Sequence, residues 1–227
     1  MTNRETVSRV RTIHKLLGDS RITDRAILAE VKGNALILMK QKADQRKLWN
    51  SPSAFTPIPC IEMETVPLGE CCGISSTQLV SRSKLELPTI AESNYPLIMG
   101  VYDIGFSQDL KYAPLNRYIN LQKLGLCGRD VYYFIHDNRL IVTKPNVALA
   151  KIIAIFDTDP SDYLLHPECG CNPNKKPCES KLDREFKVPG YLISTAIEMA
   201  SNKLLGTYFK IPMDHTSDNK DDTVNRA

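Results

Sequence analysis

Val131-Tyr132-Tyr133-Phe134-Ile135-His136-Asp137-Asn138-Arg139-Leu140-Ile141-Val142-Thr143 is the stretch that decides the class of fold. Two runs of β-branched, aromatic and aliphatic residues, Val131–His136 and Leu140–Thr143, flank a tight polar turn at about Asp137-Asn138-Arg139. That pattern predicts a β-hairpin, although the favoured Asn-Gly pair is absent. Upstream, Ile58–Val66 shows mixed alternation, Thr77–Ser81 is a short strand, and Leu97–Ile104 is apolar. Leu115–Leu121 alternates Leu115, Arg117, Ile119 and Leu121 against Asn116, Tyr118 and Asn120, and reads as a further strand. Downstream, Lys151–Phe156 reads as a buried strand. Strands that follow one another without intervening helices argue for an antiparallel sheet or sandwich.

The flanks carry a helical period. Val7, Val10, Ile13 and Leu17 form one stripe, broken at Gly18-Asp19-Ser20. A second helix is expected from Thr23-Asp24, with Thr23 as N-cap and Ile27, Val31 and Leu38 turned inward. Gly33-Asn34 weakens its middle by about 1 kcal/mol. Trp49 stands where this zone gives way to Pro52, Pro57 and Pro59; it reads as an aromatic plug at the junction or as an interface anchor. Near the C-terminus, Pro189-Gly190 opens an amphipathic helix that runs to about Leu205, with Ile193, Ile197, Ala200 and Leu204 on one face. The remaining polar tail has few groups to bury and reads either as a frayed end or as an arm that reaches over a neighbour. The expected fold class is α+β: an N-terminal helix pair, an antiparallel β body, and a C-terminal helix with an extended tail. The expected divisions are residues 1–50, a β-rich body at 51–165, a Cys/Pro-rich loop at 166–188, a helix at 189–206 and an arm at 207–227.

The 227 residues suffice for one sizeable core or two small ones, and 42% hydrophobic with 24% charged content places the chain among ordinary globular proteins. A net charge of +3 does not demand a nucleic-acid partner. Its distribution is uneven, because residues 1–50 hold eleven Lys or Arg against five Asp or Glu, a net of +6. That excess marks either a face that meets phosphate or an acidic partner, or the solvated outer sides of two helices. No apolar run approaches the length of a membrane span, and Met1-Thr2-Asn3-Arg4-Glu5 does not read as a signal peptide. The expected compartment of synthesis is a reducing host cytoplasm. There the seven cysteines read first as thiols or metal ligands, with Cys60 and Cys127 as small apolar fillers.

Two constellations invite a chemical reading. His166, Cys169, Cys171 and Cys178 are candidate ligands for a structural zinc ion, although their spacing departs from Cys-x₂₋₄-Cys pairs; the alternative is a surface loop with incidental thiols. Asp157 and Asp159 follow an apolar strand, as the carboxylates of a Mg²⁺-dependent phosphoesterase do, but Pro160 intervenes and no βαβ rhythm follows. An acidic turn is the competing reading. Phosphate-loop, dinucleotide, zinc-protease and nucleophile-elbow motifs are absent from the sequence. His14, His136, His166 and His215 fall in separate parts of the chain and suggest no triad. Tyr132, Tyr133 and Phe134 are candidates for base stacking or for an ordinary sheet core. The expectation is a protein without catalytic residues or cofactor.

Three stretches carry a resemblance. They are Ile13-His14-Lys15-Leu16-Leu17-Gly18-Asp19-Ser20-Arg21-Ile22-Thr23-Asp24-Arg25, then Trp49 with Ile58-Pro59-Cys60-Ile61-Glu62-Met63, and finally Val188-Pro189-Gly190-Tyr191 through Lys210-Ile211-Pro212-Met213-Asp214. In these the chain resembles structural proteins of crAss-like and other short-tailed bacteriophages. It is similar to the ring (connector or adaptor) proteins stacked beneath the portal. The resemblance implies a virion protein that forms a roughly twelve-fold, closed head-to-tail ring. It implies portal and neighbouring ring or tail proteins as partners, genomic DNA passing through the bore, and no membrane. An arm from about Thr207 would then clasp an adjacent subunit or the portal, with Tyr208, Phe209 and Ile211 as anchors and Trp49 as a further interface residue. A tail-tube or hub subunit is the nearest alternative role.

Overall fold

The computed structural model describes residues 1–13, 22–45, 47–104, 108–158, 160 and 182–208. The chain divides into two compact units: Met1–Ile37 with Ser180–Phe186 and Gly190–Ala227, and Leu38–Glu179 with Lys187–Pro189. The class is α+β, as the sequence predicts.

The first unit holds α1 (Asn3–Ile13), most of α2 (Asp24–Asp44) and α5 (Gly190–Tyr208). A capping box starts α1: the Glu5 N–H donates to Thr2 Oγ1 at 3.2 Å while the Thr2 N–H donates to Glu5 Oε2 at 2.9 Å. The N-terminus is also tied to the 182–186 segment, through Asn3 N–H to Arg184 O, Arg4 N–H to Leu182 O, and Phe186 N–H to Met1 O. Thr23 caps α2 as expected, accepting the Ala26 N–H at 3.2 Å. Two expectations shift. The buried stripe of α1 is Asn3, Thr6, Val7 and Val10, and Ile13, its last residue, is 59% exposed. In α5 the buried face begins at Leu192, not Ile193, and continues through Ala196, Ile197, Ala200 and Leu204.

The second unit is built on eight strands: β1 (Thr56–Pro67), β2 (Leu79–Ser83), β3 (Ile98–Asp103), β4 (Gln108–Asp109), β5 (Lys111–Tyr112), β6 (Tyr132–His136), β7 (Arg139–Val142) and β8 (Leu149–Ala154). Their order is β4-β3-β8-β1-β2-β7-β6-β5, and every pair is antiparallel except the two-residue β5–β6 ladder. The hairpin is as read. Asp137 and Asn138 sit at φ 48° and 56°, the paired left-handed residues of a type I′ turn. β1 serves two partners: its first half pairs with β8 and its second with β2, and its register with β8 slips between Ile58 and Ile61. A bulge of this kind lets one strand turn a corner.

The two ends of this sheet meet. β4 pairs with β3 and β5 pairs with β6, yet only Leu110 separates β4 from β5 in sequence. The Leu110 N–H donates to Val101 O of β3, whereas Lys111 N–H and Ala113 N–H donate to Val131 O and Tyr133 O beside and within β6. The segment Gln108–Tyr112 is therefore a seam that closes the strands into a barrel, which removes most of the unpaired edge. One cluster fills the interior: Ile58, Ile61, Met63, Leu110, Tyr133, Leu140, Val142, Ala150 and Ile152 belong to it, and Leu87 and Ile90 enter it from the segment between β2 and β3.

A second cluster lies outside the barrel wall. Val66, Val80, Tyr132, Phe134 and Ile141 form it with Leu68 of α3 (Leu68–Cys72) and Tyr118 of α4 (Leu115–Lys123). Here the expected strand at Leu115–Leu121 is corrected to a helix. Over so short a run, Leu115, Ile119 and Leu121 satisfy an alternating spacing, while Leu115, Tyr118 and Ile119, three and four residues apart, satisfy a helical one. The apolar outer wall needs a cover, and Tyr118 at 3% exposure supplies it.

Candidate assembly surfaces

The sequence-chosen residues fall in different places. Trp49 lies on a single 3₁₀ turn (Leu48–Asn50) and is half-buried. Its ring stacks on Phe55 at 5.4 Å and on Tyr95 at 6.3 Å between centroids. Tyr95 remains 38% exposed, and its hydroxyl donates to Ala43 O at 3.4 Å. Tyr208 is the last residue of α5, whereas Phe209 and Ile211 lie outside the described residues. His166, Cys169, Cys171 and Cys178 are outside them too, as are His14, His215 and Asp159. The Asp157 carboxylate faces Lys40 Nζ at 3.3 Å, and its N–H donates to Thr89 O, so it has a structural partner.

The Tyr132-Tyr133-Phe134 run is core on both faces of the wall, with Tyr133 inside the barrel and Tyr132 and Phe134 outside under Tyr118. Ring centroids of Tyr118 lie 6.0 Å from Tyr132 and 6.1 Å from Phe134. Burial raises the pKa of both Tyr118 and Tyr133, which holds their hydroxyls protonated. Bases have no access to these rings.

Among the cysteines, Cys71 and Cys72 are free and their sulfurs lie 3.2 Å apart. Burial, then the bond to Cys71, pushes the Cys72 thiol up to about 12, which makes it a poor nucleophile at neutral pH. Cys127 is free and packs against the outer cluster. Cys60 is disulfide-bonded, which corrects its reading as a filler.

The surface features missed in the sequence are apolar residues left outside the barrel. α4 ends in a Schellman motif: Gly125 at φ 66° donates its N–H to Gln122 O, and the Leu126 N–H reaches back to Leu121 O at 2.9 Å. That fixed turn holds Leu124 and Leu126 at 70% and 63% exposure, the two highest values among the described large apolar residues. A Leu-Gly-Leu after an apolar helix was the available signal, hidden because the run before it reads as a strand. Lys123, in the last turn of α4, and Arg129, in the following loop, are exposed beside these leucines and make no ion pair with a described residue. The nearby Asp130 carboxylate is engaged by Lys111 at 2.6 Å. Ile104, just after β3, donates its N–H to Leu149 O of β8, and both side chains are exposed, as is Met99 at the far end of β3.

Apolar groups held by a fixed turn, beside charges unpaired among the described residues, suit contact with other proteins, because burying them on association costs little ordering entropy. Among the described residues no group of three or more His, Cys, Asp or Glu side chains converges, and no described helix is long and apolar enough to cross a membrane. A family model described as phage tail ring protein 2 matches residues 5–223. No curated protein matches the chain.

Proposed function

The chain belongs to the phage tail ring protein 2 family of crAss-like phages and is a structural component of the tail; from that premise we propose that it forms one ring of the head-to-tail connector beneath the portal. The ring provides a passage for genomic DNA and an attachment for the tail, and the protein works by assembly, without catalysis. The observation that carries this reading is the family match across residues 5–223, which spans both compact units. A ring needs heterologous, head-to-tail contacts that close, here roughly twelve-fold. Two surfaces support such contacts: the Leu124–Leu126 turn at the end of α4, and the exposed Ile104 and Leu149, neighbours through a backbone bond. The arm from Thr207, with Tyr208, Phe209 and Ile211, clasps an adjacent subunit or the portal. The ion pair of Asp157 with Lys40 speaks against the phosphoesterase alternative.

Mass measurement of the purified protein, alone and mixed with portal, tests this. A closed oligomer that gains mass with portal is the expected result. A monomer in both samples rejects the connector position, and a ring that joins only distal tail components moves the protein to the tube or hub.

A further inference from the structure

We infer that the turn at the end of α4, with Leu124, Leu126, Lys123 and Arg129, is the receptor for the C-terminal arm of a second copy of this chain. The inference rests on the ring reading and names the partner of one surface. The receptor is preformed: two backbone bonds of the Schellman motif hold it, and both leucines project into solvent with no described residue covering them. Its charge is positive, since Lys123 and Arg129 are unpaired among the described residues while Asp130 is engaged by Lys111.

The arm is complementary in the order of its residues. Tyr208, Phe209, Ile211 and Met213 supply apolar groups, with Lys210 among them, and residues 214–227 carry Asp214, Asp218, Asp221 and Asp222 against Lys220 and Arg226, a net of −2. Leucines take the apolar part, and Lys123 and Arg129, on either side of them in sequence, take the carboxylates that follow it. Beyond α5, residues 209–227 extend to about 60 Å when stretched, enough to cross to an adjoining subunit. A closed ring uses such a contact in every copy, because each subunit offers one receptor and one arm.

The test uses full-length protein carrying Leu126→p-benzoylphenylalanine, prepared as an equal mixture of ¹⁴N and ¹⁵N copies and assembled with the other tail proteins. Leu126 is exposed, so the variant keeps its fold, checked by circular dichroism. Irradiation is expected to join position 126 to residues 207–227 in mixed heavy–light pairs. Cross-links confined to one copy, to a different tail protein, or to another part of the chain overturn the inference. A charge exchange gives an independent readout. Lys123→Asp with Arg129→Asp is expected to weaken self-association by roughly tenfold or more, and adding Asp221→Lys with Asp222→Lys is expected to restore it. Failure of the exchange to restore association counts against the pairing. A ring formed by the Leu126→p-benzoylphenylalanine variant without the 126-to-arm cross-link rejects this inference alone, whereas absence of any ring, in the wild-type protein as in the variant, rejects the ring reading itself.

Discussion

Leu110→Ala is the substitution that tests the barrel. Leu110 is the one residue between β4 and β5, its side chain lies in the interior cluster at 8% exposure, and its N–H donates to Val101 O. If the seam closes a shared core, truncation leaves a cavity bounded by side chains from both edges of the sheet. A buried Leu→Ala change costs roughly 2–5 kcal/mol, and about 3 kcal/mol suits a side chain this well enclosed. For a chain of this size that lowers Tm by roughly 6–12 °C. Leu149→Ala is the control, since Leu149 faces outward from β8 and is 37% exposed; its cost is about 1 kcal/mol or less. Differential scanning calorimetry of the unassembled protein reads both. Hydrogen exchange at Leu110, Lys111 and Ala113 reports the seam directly, and these amides are expected to exchange faster in the Leu110 variant. A Leu110→Ala protein that melts with the parent, while Leu149→Ala does not, refutes the closed interior.

Other consequences follow from single positions. Gly69→Ala places a Cβ 2.7 Å from Ile74 O and 2.8 Å from Ser76 O. Both are backbone atoms, so a loss of about 1–3 kcal/mol in urea unfolding is expected, and unchanged stability contradicts that close approach. Asn138→Val forces a β-branched residue to φ 56° in the hairpin turn and should cost about 1–2 kcal/mol, whereas Asn138→Gly should be neutral or stabilising. Cys72, with its thiol raised to about 12, should resist iodoacetamide at pH 8 in the folded protein and react once unfolded. The sign of its linkage follows. Its contribution to stability is full below the ordinary thiol range and is lost as pH rises from there towards 12, because the unfolded thiol ionises first. Ending the chain at Gly206 should leave circular dichroism and Tm unchanged while weakening assembly in sedimentation; an unaltered oligomer removes the arm from the mechanism.

Local patterns carried much of the architecture into the sequence. Thr23 caps α2 because its hydroxyl is within one turn of the N–H it satisfies, and the 131–143 hairpin follows from residues that are neighbours in the chain. β3 and β8 were legible for the same reason, each being a short apolar run beside turn residues, and β1 was legible by its mixed alternation. The helix at Leu115–Lys123 was not legible, since a nine-residue run fits two periods and the deciding contact, Tyr118 over Tyr132 and Phe134, joins segments far apart in sequence. Leu124 and Leu126 escaped notice with it. A leucine's exposure depends on what the rest of the chain leaves uncovered, and no local rule reports that.

The amino-acid sequence alone determined the α+β class, the helical flanks around a β body and the kinship with phage ring proteins, since each rests on residue patterns along the chain. Tertiary structure decided that the strands close through Gln108–Tyr112, that the aromatic run is core and not a platform for bases, and that two leucines stand in solvent near cations with no ion-pair partner among the described residues. The physical reason is range. Hydrogen-bonding period and capping act over a few residues, whereas burial and edge pairing are settled by segments that meet only after the chain has folded.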